Sequence, residues 1–141
     1  MSIVHQNLPE ARVLDLCAGS GALGLEALSR GAASCDFVEQ SPAALAAIRS
    51  NLEKLGGHSE AHLHREDAAQ FVDRLSAGAY DVAFADPPYS TETVQQLVNR
   101  WMAVPFANVF GIEHSSSLVL PALGETRRYG STSLTFFRAP S

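Results

Sequence analysis

Two loops about 70 residues apart carry the residue types that bind a nucleoside cofactor and a planar amino group. The first is the glycine-rich segment 15–24 (DLCAGSGALG) and the second is Asp86-Pro-Pro-Tyr89, each directly after a short apolar segment. Glycines let a backbone approach a ligand closely, and two prolines fix the chain and remove two donors, so that carbonyl and carboxylate oxygens converge on an amine. Together the loops predict methyl transfer from S-adenosylmethionine to the exocyclic nitrogen of a nucleobase.

The choice of cofactor depends on the acids around the first loop. The G-x-G-x-x-G pattern of 19–24, with Glu39 about 20 residues on, also fits a dinucleotide fingerprint, so NAD and S-adenosylmethionine compete on this loop alone. Asp15 favours S-adenosylmethionine, because a carboxylate satisfies an ammonium group and repels a pyrophosphate. We expect Glu39 to accept both ribose hydroxyls and Asp67 to reach the adenine amino group. The alternatives are that Asp67 only caps a helix and that Glu39 only ends a strand.

The second loop predicts the chemistry of the acceptor. Asp86 and the backbone carbonyls can bind both hydrogens of a base amine while the ring stacks on Tyr89, so catalysis is mostly positioning for in-line displacement. The alternative is a rigid turn with a buried tyrosine. His114, which follows Glu113 at the end of a strand expected beside that of Asp86, is a further candidate. Its alternative is a loop position facing water.

Other histidines and the cysteines give weaker signals. His62 and His64 would share one face of a strand expected at the sheet edge, with His58 nearby, and solvated side chains are favoured over a metal site because no fitting carboxylate or thiolate set accompanies them. Cys17 and Cys35 would lie at opposite ends of neighbouring strands, roughly 13 Å apart. That separation exceeds disulfide reach, so both are expected to be reduced.

Periodicity predicts the elements that position these residues. Strands are expected at 12–17, 35–39, 61–65, 81–86, 109–113, 125–129 and 133–138. A helix is expected after each of the first four, with starts at Ser41-Pro42 and at Asp67 followed by Gln70, and with Leu45, Ile48, Leu52 and Leu55 on one apolar face. The alternation predicts a mostly parallel α/β sheet with helices on both faces, an antiparallel C-terminal hairpin, and ligands at the carboxyl ends of the strands.

Composition restricts the remaining possibilities. The 141 residues are 46% hydrophobic, which suits one domain over 1–141, and no run reaches the ~20 apolar residues that span a bilayer. A cytoplasmic location is expected. The net charge of −5 argues against a protein that coats nucleic acid, although nine of the ten cations are arginines and the adjacent Arg127 and Arg128 are candidates for RNA contact.

The motifs taken together resemble one family. They are the segments 14–31, 37–39, 83–89 and 113–115 with 128–138, and the chain resembles the RsmD-type bacterial methyltransferases over about Ala11 to Arg138. The resemblance implies the Rossmann-like class I methyltransferase fold with a seven-stranded sheet, S-adenosyl-L-methionine as cofactor, and methylation of a guanine N2. The implied partner is small-subunit ribosomal RNA or the assembled small subunit, and no metal or membrane is implied.

The residues and the resemblance together give the expected site. The expected catalytic residues are Asp86, Pro87, Pro88 and Tyr89. Those expected to hold the cofactor are Asp15, Ala18, Gly19, Ser20, Gly21, Glu39, Gln40, Asp67, Ala68 and Asp86. Those expected to contact the substrate are Tyr89, Glu113, His114, Arg127 and Arg128.

Two departures from the family pattern accompany the resemblance. The family usually has an aromatic residue where Cys17 stands, and its basic N-terminal segment has no counterpart before Ala11. We therefore expect this chain to bind cofactor but to methylate ribosomal RNA poorly. The alternatives are a DNA adenine-N6 methyltransferase, which would need a groove-reading element, a cofactor-binding module with weak or no catalysis, and, last, a nucleotide-dependent reductase.

Overall fold

A computed structural model describes residues 8–57, 59–87, 91–121 and 124–140. The described strands are β1 (Arg12–Leu16), β2 (Ser34–Val38), β3 (Ala61–His64), β4 (Tyr80–Ala85), β5 (Ala107–Ser115), β6 (Glu125–Tyr129) and β7 (Thr132–Arg138). The described helices are α1 (Ala22–Ser29), α2 (Pro42–Lys54), α3 (Ala68–Asp73) and α4 (Thr91–Ala103). Each expected strand is present, with bounds shifted by at most two residues.

The strands form one seven-stranded sheet in the order β3-β2-β1-β4-β5-β7-β6. Strands β1 to β5 pair in parallel, whereas β7 pairs antiparallel with both β5 and β6. The predicted fold class and C-terminal hairpin are confirmed. Because β7 lies between β5 and β6, the chain returns to the sheet interior with its last strand and leaves β6 at the edge.

Side chains of the central strands alternate between two cores, one on each face of the sheet. Leu14 and Leu16 of β1 belong to the core that α3 and α4 cover. Val13 belongs to the opposite core, which α1 and α2 cover. Burial of both faces is what a parallel sheet with right-handed crossovers requires.

The helix starts follow the predicted caps. The Ser41 hydroxyl accepts from the Ala44 N–H at 3.2 Å, and Pro42 occupies the first helical position of α2. The end of α2 corrects one expectation: Leu55 was placed on its apolar face, but it is 61% exposed, because α2 ends at Lys54 and Gly56 with φ of 87° turns the chain away.

Among the described residues, no helix is long and apolar enough to cross a membrane. The described cysteines, Cys17 and Cys35, are both free thiols, as predicted.

Candidate functional site

The glycine-rich loop between β1 and α1 is held in a tight turn at the carboxyl edge of the sheet. Cys17, Gly19 and Gly21 all have positive φ, of 56°, 58° and 79°. The Ala18 N–H donates to the Val38 carbonyl at 3.1 Å, and Asn51 of α2 donates to the Ser20 carbonyl at 3.2 Å. The loop is therefore tied to β2 on one side and to α2 on the other.

Asp15 is a buried acid beneath this loop. Its carboxylate is 3% exposed and accepts from the backbone N–H of Gly24 at 3.0 Å. Burial is the main cause that raises the pKa of Asp15 to about 7; the Gly24 N–H opposes the rise, and the negative charges of Asp86 and Glu39 contribute to it. A carboxylate in such a place holds its charge best when a cation lies beside it.

Glu39, after β2, links the loop to the start of α2. One carboxylate oxygen accepts from the Gly19 N–H at 2.9 Å, and the other accepts from the Ser41 N–H at 2.9 Å. A carboxylate offers about four lone-pair sites, so Glu39 can orient the loop and still accept from a ligand hydroxyl. Glu39 thus does more than end a strand.

A cavity of about 190 Å³ opens beside this loop at the ends of β2 and β3. It is lined by Cys17, Val38, Glu39, Gln40, Glu66, Asp67, Ala68, Pro87 and Thr93. Asp67 accepts from the Gln70 N–H at 3.1 Å and so caps α3. The capping interpretation of Asp67 is confirmed, and the same residue also borders the cavity.

A larger cavity of about 630 Å³ lies at the ends of β4 and β5. It is lined by Asp86, Pro87, Thr91, Val94, Glu113, His114, Ser115, Leu118, Ser131 and Thr132. Pro87 lines both cavities, so the two spaces adjoin across this one side chain. Pro88 and Tyr89, which were expected in the site, lie outside the described residues.

Two carboxyl groups face each other in the larger cavity. Ala85 pairs with Ile112 in the parallel register of β4 and β5, which makes Asp86 and Glu113 the next neighbours. Hydrogen bonding to Asp86 raises the pKa of Glu113, and burial and the Asp86 charge add to the rise. Asp86 and Glu113 are called the acid pair below.

His114 lines the same cavity but is fixed by protein contacts. It is 7% exposed, with Nδ1 at 2.9 Å from the Ser115 carbonyl and Nε2 at 2.7 Å from the Thr135 hydroxyl. Thr135 in turn contacts the Thr126 hydroxyl at 2.8 Å. The buried ring does not face water as its alternative supposed, and it joins β5 to the C-terminal hairpin.

Arg127 and Arg128 lie on the exposed edge strand β6. Arg127 is 3.8 Å from Glu125, and Arg128 donates to the Gly130 carbonyl at 3.2 Å. Neither lines the larger cavity, which the turn after β6 reaches instead through Ser131 and Thr132. The two arginines are therefore placed to contact a ligand only outside it.

The β3 histidines take different roles. His62 is exposed, whereas His64 is half-buried, lies 3.2 Å from the Asp36 carboxylate and packs on Phe71. Asp36 also accepts from the Tyr80 hydroxyl at 2.5 Å. Across the part of the chain that the structure describes, no group of three or more His, Cys, Asp and Glu side chains could hold a metal ion.

The sequence reasoning missed several lining residues. Thr91 and Thr93 lie at the start of the helix after the second loop. Their position directly after that loop could have predicted that they line the site. Ser131 and Thr132 reach the larger cavity because Thr132 pairs with Ser115 at the end of β5. Only the position of β7 in the sheet reveals this, and no local pattern encodes it.

A family model described as conserved hypothetical protein 95 matches residues 1–138. The chain belongs to this family. The resemblance to the RsmD-type methyltransferases is thereby confirmed.

Two curated proteins are similar in sequence to this chain. YlbH of Bacillus subtilis strain 168, whose name proposes an rRNA methyltransferase, is 32% identical over 138 residues, which are 90% of this chain and 75% of YlbH. Ribosomal RNA small subunit methyltransferase D of Buchnera aphidicola subsp. Baizongia pistaciae (strain Bp) is 31% identical over 105 residues, covering 71% of this chain and 53% of the relative. The chain thus spans between about half and three quarters of the length of these relatives.

A solved structure is also similar. It is yhhF of Escherichia coli, a protein proposed to be a methyltransferase, with a TM-score of 0.83 and 25% sequence identity. The match covers 97% of this chain and 80% of that chain. Nearly all of the present fold is therefore shared with that structure.

Proposed function

We propose that this chain is an S-adenosylmethionine-dependent methyltransferase that acts on ribosomal RNA, and that its acceptor is the exocyclic N2 of a guanine in the small-subunit RNA. The observation that carries the proposal is the pair of adjoining cavities. One is bordered by Glu39 and Asp67, the other holds the Asp86 carboxylate, and Pro87 lines both. The name of the Buchnera relative supports the small-subunit RNA as substrate.

The residues of the smaller cavity and its loop fit the proposed cofactor. Asp15 supplies a buried carboxylate for an ammonium group, Glu39 has lone pairs for ribose hydroxyls, and Asp67 and Ala68 border the space for an adenine. Among the described lining residues there is no lysine or arginine, so a pyrophosphate would meet uncompensated acids. A cavity of about 190 Å³ is smaller than typical whole-ligand sites, so the amino-acid end would lie over the glycine-rich loop.

When bound, S-adenosylmethionine supplies an electrophilic methyl group. The chain's task is then positioning, which is worth several kcal/mol when a nucleophile is held in line. Asp86 accepts from the base amine and directs the N2 lone pair past Pro87 toward the methyl carbon. In such a transfer N2 would gain the methyl group and lose one proton, and Asp86 is placed to accept that proton.

Other expected residues keep roles that await tests. Ala18, Gly19, Ser20 and Gly21 form the loop for the cofactor, and Gln40 borders the smaller cavity. The larger cavity is called the acceptor cavity from here on. His114 would position its wall through its bonds to Ser115 and Thr135. Tyr89 is proposed to stack on the base, and Arg127 and Arg128 to contact RNA phosphates beyond the cavity.

Methyl incorporation from labelled S-adenosylmethionine into small-subunit RNA or assembled subunits tests the function, followed by mass analysis of the modified nucleoside. N2-methylguanosine is expected. Methylated adenosine would overturn the guanine assignment, and absence of incorporation into any RNA, with S-adenosylhomocysteine still bound, would favour the cofactor-binding module.

The variant Asp86→Asn tests the proposed role of the carboxylate, since it removes the charge with little change of shape. We expect loss of methyl transfer and nearly unchanged affinity for S-adenosylhomocysteine, measured by calorimetry. Full turnover by this variant would contradict the assignment. Glu53→Gln, an exposed residue of α2, is the matched control for charge removal.

A further inference from the structure

The acid pair in the larger cavity has a geometry suited to one edge of one base. Asp86 and Glu113 follow the aligned residues Ala85 and Ile112 of neighbouring parallel strands, so their side chains project to the same face of the sheet. Both border the acceptor cavity. Both also border an apolar space of about 160 Å³ on their other side, which Leu23 and Phe136 help to line.

Two neighbouring carboxylates repel each other unless positive charge or hydrogen-bond donors stabilise them. The described residues that line the acceptor cavity include no lysine and no arginine. Among the described residues, the other titratable groups near the pair include Asp15 on β1 and Cys17 after it, neither of which carries positive charge, and His114 on β5, whose ring nitrogens contact Ser115 and Thr135. In the free protein, hydrogen bonding to Asp86 and burial raise the pKa of Glu113, so that Glu113 keeps its proton to a higher pH than a free glutamate does.

The chemistry of the bases indicates what could replace that proton. The Watson–Crick edge of guanine presents two adjacent donors, the N1–H and the N2 amino group. The same edge of adenine presents one donor, the N6 amino group, beside an acceptor, N1. Two ionised carboxylates side by side match the first pattern, whereas the second would place a nitrogen lone pair against a carboxylate.

We propose that Glu113 is the specificity-determining residue of the acceptor site, accepting from the N1–H of the target guanine while Asp86 accepts from its N2 amino group. This assignment rests on the proposed function and adds to it the group that distinguishes guanine from adenine. Binding of guanine then requires that Glu113 release its proton to solvent. A protonated Glu113 would instead present a donor to N1.

An acceptor base that keeps the amine but lacks the N1–H tests the assignment. 2-Aminopurine carries the amino group at C2, and its N1 is an acceptor. Small-subunit RNA would be assembled by ligation with either guanine or 2-aminopurine at the position methylated in the previous experiment. We expect wild-type protein to prefer the guanine RNA by about tenfold or more in kcat/KM, because one hydrogen bond to a charged group is lost.

The variant Glu113→Gln separates this effect from the loss of the guanine O6, which 2-aminopurine also lacks. A glutamine amide can donate to N1, so the preference for guanine should fall by about tenfold or more or reverse. The control Glu53→Gln should keep the wild-type preference. Affinities of the two RNAs, measured with S-adenosylhomocysteine present, should change in the same direction without any turnover.

An equal preference for guanine in wild type and Glu113→Gln would overturn the role of Glu113. If the variant does not fold, the pH dependence of the wild type decides instead. The preference for guanine over 2-aminopurine should grow as pH rises and Glu113 loses its proton, and a preference that does not change with pH would refute the assignment. Failure to methylate the guanine RNA at all would be a failure of the proposed function, which is a distinct result.

Discussion

Lowering the pH from 8 to 6 should weaken cofactor binding through one residue, Asp15. Its carboxylate is 3% exposed, and burial raises its pKa to about 7. At pH 8 about nine tenths of the Asp15 side chains would then be ionised in the free protein, and at pH 6 about one tenth. If only the ionised form accepts the ammonium group of the ligand, the apparent Kd rises about tenfold, or by about 1.4 kcal/mol.

Calorimetry with S-adenosylhomocysteine at the two pH values is the assay, because this ligand keeps the ammonium group and cannot transfer a methyl group. The variant Asp15→Asn should bind weakly at both pH values and lose the pH dependence. Equal wild-type affinity at pH 6 and pH 8 would refute the reasoning. So would a tenfold dependence that persists in the variant, since the titrating group would then lie elsewhere.

The same pKa predicts an effect on stability with a defined sign. A carboxyl whose pKa is raised on folding favours the folded state at low pH, and this contribution is lost as pH rises from the unfolded value near 3.8 to about 7. The full loss amounts to roughly 4 kcal/mol at most. Urea unfolding without ligand should therefore find Asp15→Asn more stable than wild type at pH 8, with the difference shrinking toward pH 4.

Three further outcomes follow from the local geometry. Gly24→Ala should lower the free energy of unfolding by about 1–3 kcal/mol in urea titrations, because its Cβ would come within 2.3 Å of the Phe37 ring; an unchanged midpoint would contradict this close packing. Glu39→Gln should weaken S-adenosylhomocysteine binding by about 1.5–3 kcal/mol in calorimetry, whereas Glu53→Gln should not. Burial raises the pKa of Cys17 to about 12, so iodoacetamide at pH 8 should leave this thiol unmodified over a time that alkylates free cysteine, as judged by mass spectrometry.

Local signals were enough to predict the elements and much of the cofactor site. The capping hydroxyl of Ser41 and the acid of Asp67 act within three residues of their own positions, so the sequence pattern contains both partners. Gly19 and Glu39 lie 20 residues apart, yet β1 and β2 are adjacent parallel strands, and the alternation of strands and helices predicts that adjacency. Their contact at 2.9 Å follows from the predicted topology.

The acceptor site depends on relations that no local pattern contains. β5 was expected at 109–113 but extends over Ala107–Ser115, because its parallel pairing with β4 begins at Ala107 and its antiparallel pairing with β7 continues to Ser115. The contact of Asp86 with Glu113 requires the register between β4 and β5. The prediction for Leu55 was wrong for a simpler reason. The helical spacing of apolar residues continues in the sequence to Leu55, but the helix itself ends at Lys54.

The two cavities are completed at different times during synthesis, because β7, the last strand of the chain, lies between β5 and β6. Among the described residues, the lining of the smaller cavity ends at Thr93, whereas that of the larger cavity includes Thr132, so a nascent chain can complete the first well before the second. Until β7 leaves the ribosome, β5 is an open edge with unpaired backbone groups, the kind of surface that promotes aggregation. Arrival of the final strand covers the edge of β5 and completes the lining of the larger cavity in one step, and it leaves the short, polar strand β6 as the edge on that side of the sheet.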